Sequence, residues 1–218
     1  MRRYGLLVTA FLFCQFLMSP VIRAGTVMGT IKLERARVVT EGAKSSRDVV
    51  ISLEPVEKQA FTAPSKHIEM DQKGLVFIPH VMAVQMGTPV DFLNSDNDRH
   101  NVYFLFESTG ETLDIGTWGP GQTVTHTFTE TGEVITLCQL HLEMAAYILI
   151  FDHPYFTIAE IDSDSQTASF QIDGVPPGDY VLKAWHKKLK MKGESRPISV
   201  GSDPLTADLV ITKKKYAK

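Results

Sequence analysis

Beyond the first two dozen residues, apolar positions never recur at helical spacing over a useful length. Short alternating or wholly apolar runs bounded by Gly, Pro and Asp follow one another instead. Such a pattern predicts the short strands of a β-sandwich or barrel, because successive side chains of a strand alternate between its faces. The expected strands are Thr30–Leu33, Val49–Leu53, Val76–Ile78, Pro89–Leu93, Asn101–Phe106, Thr123–Phe128, Gly132–Cys138, Ala146–Phe151, Phe156–Ile161, Ser169–Ile172 and Asp179–Trp185. The stretch from Met144 to Ile150 is the best helix candidate, yet its Tyr147-Ile148-Leu149-Ile150-Phe151 run is β-branched and aromatic and reads better as a buried strand. Turns are expected at Gly119-Pro120-Gly121, Asp173-Gly174 and Pro176-Pro177-Gly178-Asp179, since Pro fixes φ and Gly supplies positive φ. Glu57 to Ser65 reads as a linker, and Pro154 opens a second change of style. The fold class is all-β.

The residues ahead of this pattern read differently. Arg2 and Arg3 precede an apolar run from Gly5 to Met18, followed by Ser19, Pro20 and the small Ala24. This is the layout of an export signal over residues 1–24, cleaved near Ala24. The alternative is an uncleaved anchor, although the run falls short of the ~20 residues that span a bilayer. Removal of the signal takes Cys14 with it and leaves Cys138 as the one cysteine of the mature chain. A single thiol cannot form an internal disulfide in the exported compartment where cysteines usually pair. It is buried and inert, paired between chains, catalytic or bound to metal.

At 218 residues and 44% hydrophobic content the chain has enough material for one large core or two small ones. Its 22 basic and 25 acidic residues give a formal charge of −3, with no broad cationic field to draw in nucleic acid or an anionic membrane surface. Lys213, Lys214, Lys215 and Lys218 read as a solvated tail. No Ser-His-Asp set, HExxH motif or Gly-rich phosphate loop stands at useful spacing, so hydrolysis and nucleotide chemistry are not indicated and no enzyme is expected.

Chemistry concentrates after the apolar strand Val134-Ile135-Thr136-Leu137. There Cys138 offers a thiolate, His141 an imidazole three residues on, and Met144 a thioether three further. The three converge if the chain turns after Cys138. Thiolate and thioether are soft ligands and imidazole is borderline, a set that suits copper; two His and one Cys with a long axial Met is the arrangement of electron-transfer sites. Zinc competes for such ligands but rarely uses Met, and an inert thiol beside a core methionine is the remaining alternative. The loop supplies one His, so a second comes from elsewhere. His100 is the best candidate, placed between the polar loop Asn94 to Arg99 and the strand beginning at Asn101.

These residues resemble a family, the type-I copper proteins or cupredoxins of the amicyanin and plastocyanin kind. The order Met86-Gly-Thr-Pro-Val-Asp-Phe-Leu-Asn94, His100-Asn101-Val102, Gly119-Pro120-Gly121 and Cys138-x-x-His141-x-x-Met144 is similar to theirs over roughly residues 67 to 152. The resemblance implies a Greek-key sandwich with one copper bound by His100, Cys138 and His141 in the plane and Met144 on the axis. It also implies that Asn101 turns its backbone N–H to the sulfur and ties the two ligand loops together with its side chain. Leu142 departs from the pattern, standing where amicyanin-like loops carry Pro. A redox partner would dock transiently near His141, against a rim of Leu140, Leu142 and Ala145.

The flanks resemble the carboxypeptidase regulatory-like, or transthyretin-like, domain: Gly29 to Leu33 and Val49 to Pro55 its opening strands, Ala168 to Leu182 its closing ones. The expected organisation is therefore a signal (1–24), the first part of an accessory β-sandwich (25–65), a cupredoxin domain (66–153) inserted in it, and its second part with the basic tail (154–218). A cupredoxin with extensions at both ends is the alternative. His67, His126 and His153 are expected at the surface or in turns, and His80 and His186 as hydrogen-bonded structural residues. The expected function is periplasmic single-electron transfer through copper. A periplasmic copper carrier or store, or a structural β-protein with a buried thiol, are the alternatives.

Overall fold

The computed structural model describes residues 24–34, 47–187 and 195–212; almost all of the expected signal, with Cys14, and the lysine tail from Lys213 lie outside them. The described residues are all-β. In chain order the strands are β1 (Gly25–Glu34), β2 (Asp48–Pro55), β3 (Ile68–Gln72), β4 (Phe77–Ile78), β5 (Val81–Gln85), β6 (Pro89–Asn94), β7 (His100–Phe106), β8 (Thr112–Trp118) and β9 (Thr123–Thr127). They continue as β10 (Gly132–Leu137), β11 (Ala145–Phe151), β12 (Phe156–Glu160), β13 (Thr167–Val175), β14 (Gly178–Trp185), β15 (Ser195–Val200), β16 (Leu205–Thr206) and β17 (Leu209–Thr212).

Four sheets make two sandwiches. The first sandwich faces β13-β1-β16, with β17 also on β1, against β12-β2-β14-β15. Its core is aliphatic and aromatic, with Val27, Ile31, Ile51, Leu53, Ile161 and Leu182 at its centre. The second faces β5-β11-β10-β7-β8 against β4-β3-β6-β9, closing over Met70, Phe77, Phe92, Phe104, Val134, Cys138, Met144 and Ile148. The chain leaves the first sandwich after β2, builds the second, and re-enters the first at β12, where Leu53 N–H donates to Tyr155 O at 2.9 Å.

Several strands were not expected. In β3 the inward positions are Ile68, Met70 and Gln72, and the buried Gln72 breaks the apolar alternation while bonding Leu93 O through its own amide. β8 is an exposed edge with a mostly polar pattern, and β15 carries Pro197 on a sheet edge, the one place a strand tolerates the missing donor. β5 is covered on both faces, so its Val-Met-Ala-Val sequence has no alternation to read.

That double covering marks the seam between the sandwiches. Val50 of β2, Val81 of β5 and Leu149 of β11 meet there, with Ala83, Tyr147, Phe151 and Trp185 packed around them. The run Tyr147 to Phe151 thus sends Ile148 and Ile150 into the second core and Tyr147, Leu149 and Phe151 into the seam, which is why it is apolar throughout and still a strand. Trp185 Nε1–H donates across the seam to Glu133 Oε2 at 2.8 Å.

The expectation for one histidine, His126, is corrected here. His153 lies in the bend between β11 and β12, a turn position as expected, and is buried there, stacked on Tyr155 and tilted against Phe151, its Nδ1 accepting Tyr155 N–H at 3.2 Å. His126 sits within β9 rather than a turn, half-buried against Phe104 and Phe128. His67 is exposed and bonded to Asp91. His80 and His186 border the seam: Lys187 Nζ lies 2.6 Å from His80 Nε2, and His186 is buried.

Candidate metal centre

Strand β10 sends Val134 and Thr136 into the second core, and the same alternation carries Cys138, one residue past the strand end, inward. The register of β10 on β7 pairs Leu137 with Tyr103, so the chain just beyond Leu137 runs beside the start of β7. There the backbone N–H of Asn101 points at Cys138 Sγ, 3.4 Å away. That N–H fixes where the sulfur points.

After Cys138 the chain turns. Met144 N–H donates to His141 O at 3.0 Å, closing a four-residue turn that leaves His141 half-buried at the rim and returns Met144 to the core at 1% exposure. Leu140, just before this turn, and Leu142, within it, are turned to solvent, 54% and 87% exposed. His100, the first residue of β7, is fully buried. Its Nδ1 lies 3.1 Å from His141 Nδ1, and that atom lies 3.8 Å from Cys138 Sγ. His100, Cys138 and His141 are the one group of three such donors among the described residues, with ligand atoms mutually within 4.8 Å.

The 3.1 Å and 3.8 Å separations fit a shared ion. Two nitrogens each ~2.0 Å and a sulfur ~2.3 Å from one first-row ion stand about 3.1 Å and 3.8 Å apart at ordinary bond angles. The sulfur and the two imidazoles are also the donors that copper or zinc takes. Met144 shares the core cluster of Cys138.

Asn101 braces the group. Its Oδ1 accepts Gln139 N–H at 3.3 Å, and its Nδ2–H bonds reach Asp114 Oδ1 at 2.9 Å and Gly116 O at 3.0 Å. The β7–β8 register slips between Val102 and Tyr103 opposite this point, and Gly116 takes φ of +114° there, a value that leaves the position to glycine. Asn94 holds the loop before His100 from beneath, its Nδ2 donating to Asp98 O at 2.9 Å and Trp118 O at 3.1 Å.

One side chain that the sequence did not single out touches a member of the group. Asp96 Oδ2 lies 2.8 Å from His100 Nε2. Burial pushes its carboxyl up, but backbone N–H bonds from Gly74 and Leu75, with the His100 ring, outweigh that and leave it below the ordinary 3.8. Its only sequence signal is a place four residues before a candidate ligand, and on a loop such spacing does not specify contact.

No family model matches the chain, and no curated protein matches it. Solved structures of cupredoxins do. A copper(I) form of an amicyanin variant is 22% identical over 39% of this chain and 82% of its own, with a TM-score of 0.36. A copper-containing nitrite reductase from Thermus scotoductus SA-01 is 24% identical over 55% of this chain and 28% of its own, TM-score 0.38. A purple cupredoxin from Nitrosopumilus maritimus is 17% identical over 38% of this chain and 98% of its own, TM-score 0.34. Each likeness covers only part of the chain.

Proposed function

We propose that this chain is an exported, periplasmic copper protein of the cupredoxin type that passes single electrons between redox partners and catalyses no reaction of its own. His100, Cys138, His141 and Met144 would hold one copper, which would supply the Cu(II)/Cu(I) couple. The observation that carries this reading is the meeting of two imidazole nitrogens and a buried sulfur within 4.8 Å, with a backbone N–H turned to the sulfur. The neighbouring residues bind and orient. Asn101 and Asn94 hold the two loops in one geometry, so little rearranges when charge changes. The exposed Leu140 and Leu142 beside half-buried His141 offer a small apolar rim of the size that transient redox encounters use. The first sandwich, read as a carboxypeptidase regulatory-like domain, serves packing or adhesion.

The test is to add Cu(II) to the purified signal-less chain and record its absorption. One equivalent should produce an intense blue colour from the sulfur-to-copper charge transfer, absent in Cys138→Ser. A colourless copper complex, or no stoichiometric binding, overturns the reading. Rapid loss of Cu(I) to a mild chelator without reversible voltammetry identifies a copper carrier using the same ligands.

A further inference from the structure

Asp96 is held at the site by four hydrogen-bonded contacts. A carboxylate only accepts, so its 2.8 Å contact with His100 Nε2 needs the ring proton on Nε2. That leaves the lone pair on Nδ1, the nitrogen facing His141 and Cys138. The carboxylate is held in its turn. Gly74 N–H donates to Oδ1 at 2.6 Å and Leu75 N–H to Oδ2 at 3.0 Å, while the N–H of Asp96 itself bonds Asn94 Oδ1 at 3.0 Å.

The two backbone donors come from the turn between β3 and β4, where Gly74 and Leu75 have φ of +67° and +60°. Leucine rarely adopts a left-handed φ, and such conformations persist where surrounding contacts require them. Here consecutive left-handed residues aim two N–H groups at one carboxylate, a small anion-holding concavity. The turn, the carboxylate and the imidazole thus form one relay from the β3–β4 hairpin to the donor group.

We propose that Asp96 is a positioning residue for the metal. It fixes the tautomer and ring orientation of His100 before any metal arrives, and its charge favours the higher oxidation state of a bound ion. The first half concerns His100 alone; the second rests on the copper reading above. A thiolate and one carboxylate together neutralise a dication but leave a net negative charge around a monocation, so the carboxylate holds the oxidised state and lowers the reduction potential. A carboxylate behind a ligating imidazole also raises its basicity, and removing such a partner commonly costs 10–100-fold in metal affinity.

The experiment compares the wild-type chain with Asp96→Asn and Asp96→Ala. In the metal-free proteins, two-bond proton–nitrogen NMR should show His100 as the Nε2–H form in the wild type and in Asp96→Asn, whose amide oxygen still accepts. In Asp96→Ala the slowly exchanging Nε2 proton should disappear. Titration with Cu(II) should show binding weakened about 10-fold or more in Asp96→Ala and less in Asp96→Asn. Voltammetry of Asp96→Asn should give a higher potential than the wild type, since the bond stays and the charge goes. A Nδ1–H tautomer in the wild type, or a tautomer and Cu(II) affinity unchanged in Asp96→Ala, overturns the positioning role. An unchanged potential in Asp96→Asn overturns the charge effect. If Asp96→Ala does not fold, the wild-type tautomer and the Asp96→Asn potential still decide. A wild-type chain that takes no copper yet shows the Nε2–H tautomer supports Asp96 and rejects the copper reading.

Discussion

The core of the first sandwich is formed by Val, Ile, Leu, Ala, Phe and Tyr, whereas that of the second includes Cys138, Met70, Met82, Met144 and Trp118. The second sandwich also buries Gln72, Asn94, His100, Asn101 and Thr136, and the strands of the first add Ser52. Buried polar groups cost stability unless they are bonded. Gln85 and Thr88 are buried in the second sandwich as well, and at its donor end Asn94, Asp96 and Asn101 spend their hydrogen bonds on two loops and an imidazole. The difference teaches a division of labour. One sandwich has a uniformly apolar core; the other trades core uniformity for a clustered set of donors, and the seam residues are distinct from those donors.

Paired truncations test that division most severely. Leu182→Ala and Met144→Ala each remove a fully buried side chain and should each cost about 2–5 kcal/mol, measured by denaturant unfolding. Only Met144→Ala should alter the spectrum of the chain with Cu(II); a spectral change in Leu182→Ala would show that the first sandwich is not a bystander.

The junction gives a pH-dependent contrast. Burial holds His153 below the ordinary 6.5, outweighing Asp152 and Glu54, which act to raise it. The native ring stays neutral while the unfolded one takes up a proton, so its contribution to stability is intact above pH 6.5 and is lost as pH falls from there toward the native value. His126, also held low by burial, acts with the same sign. His153→Asn keeps an acceptor near Tyr155 N–H without titrating. Its melting temperature should therefore fall less than that of the wild type between pH 7 and 5, and parallel curves would remove His153 from the account.

The smallest effect is expected at the seam. Trp185→Phe deletes the bond to Glu133 while keeping a ring beside Tyr147, and should cost about 0.5–1.5 kcal/mol with the Cu(II) spectrum unchanged. A loss as large as that of Leu182→Ala would mean that the sandwiches share one core.

Reading from the chain succeeded where structure is local. The strands around Val49, Pro89, Val134 and Ala146 carry clear apolar signals, and all-β follows from them. Cys138 and His141 are close in the chain and need one turn to come together, so their spacing was informative; Met144 follows in the same turn and packs in the core cluster of Cys138. β3, β5 and β8 escaped because a buried glutamine, covering on both faces and an exposed edge each erase the alternation. His126 was misjudged, and the burial of His153 within its bend was not foreseen, for a related reason: the ring contacts with Phe104 and Phe128 in one case, and with Phe151 and Tyr155 in the other, depend on how strands stack.

By itself the sequence determined the strand-rich fold class and the run of donors Cys138, His141 and Met144, since each depends on covalent order and short-range periodicity. Only the tertiary structure decided that His100 stands 3.1 Å from His141, that Asp96 backs it, and that β5, β11 and β2 share a seam. Those contacts join residues separated by other strands, and their distances are set by sheet register and sandwich closure, which many weak contacts fix together and no single stretch of chain encodes.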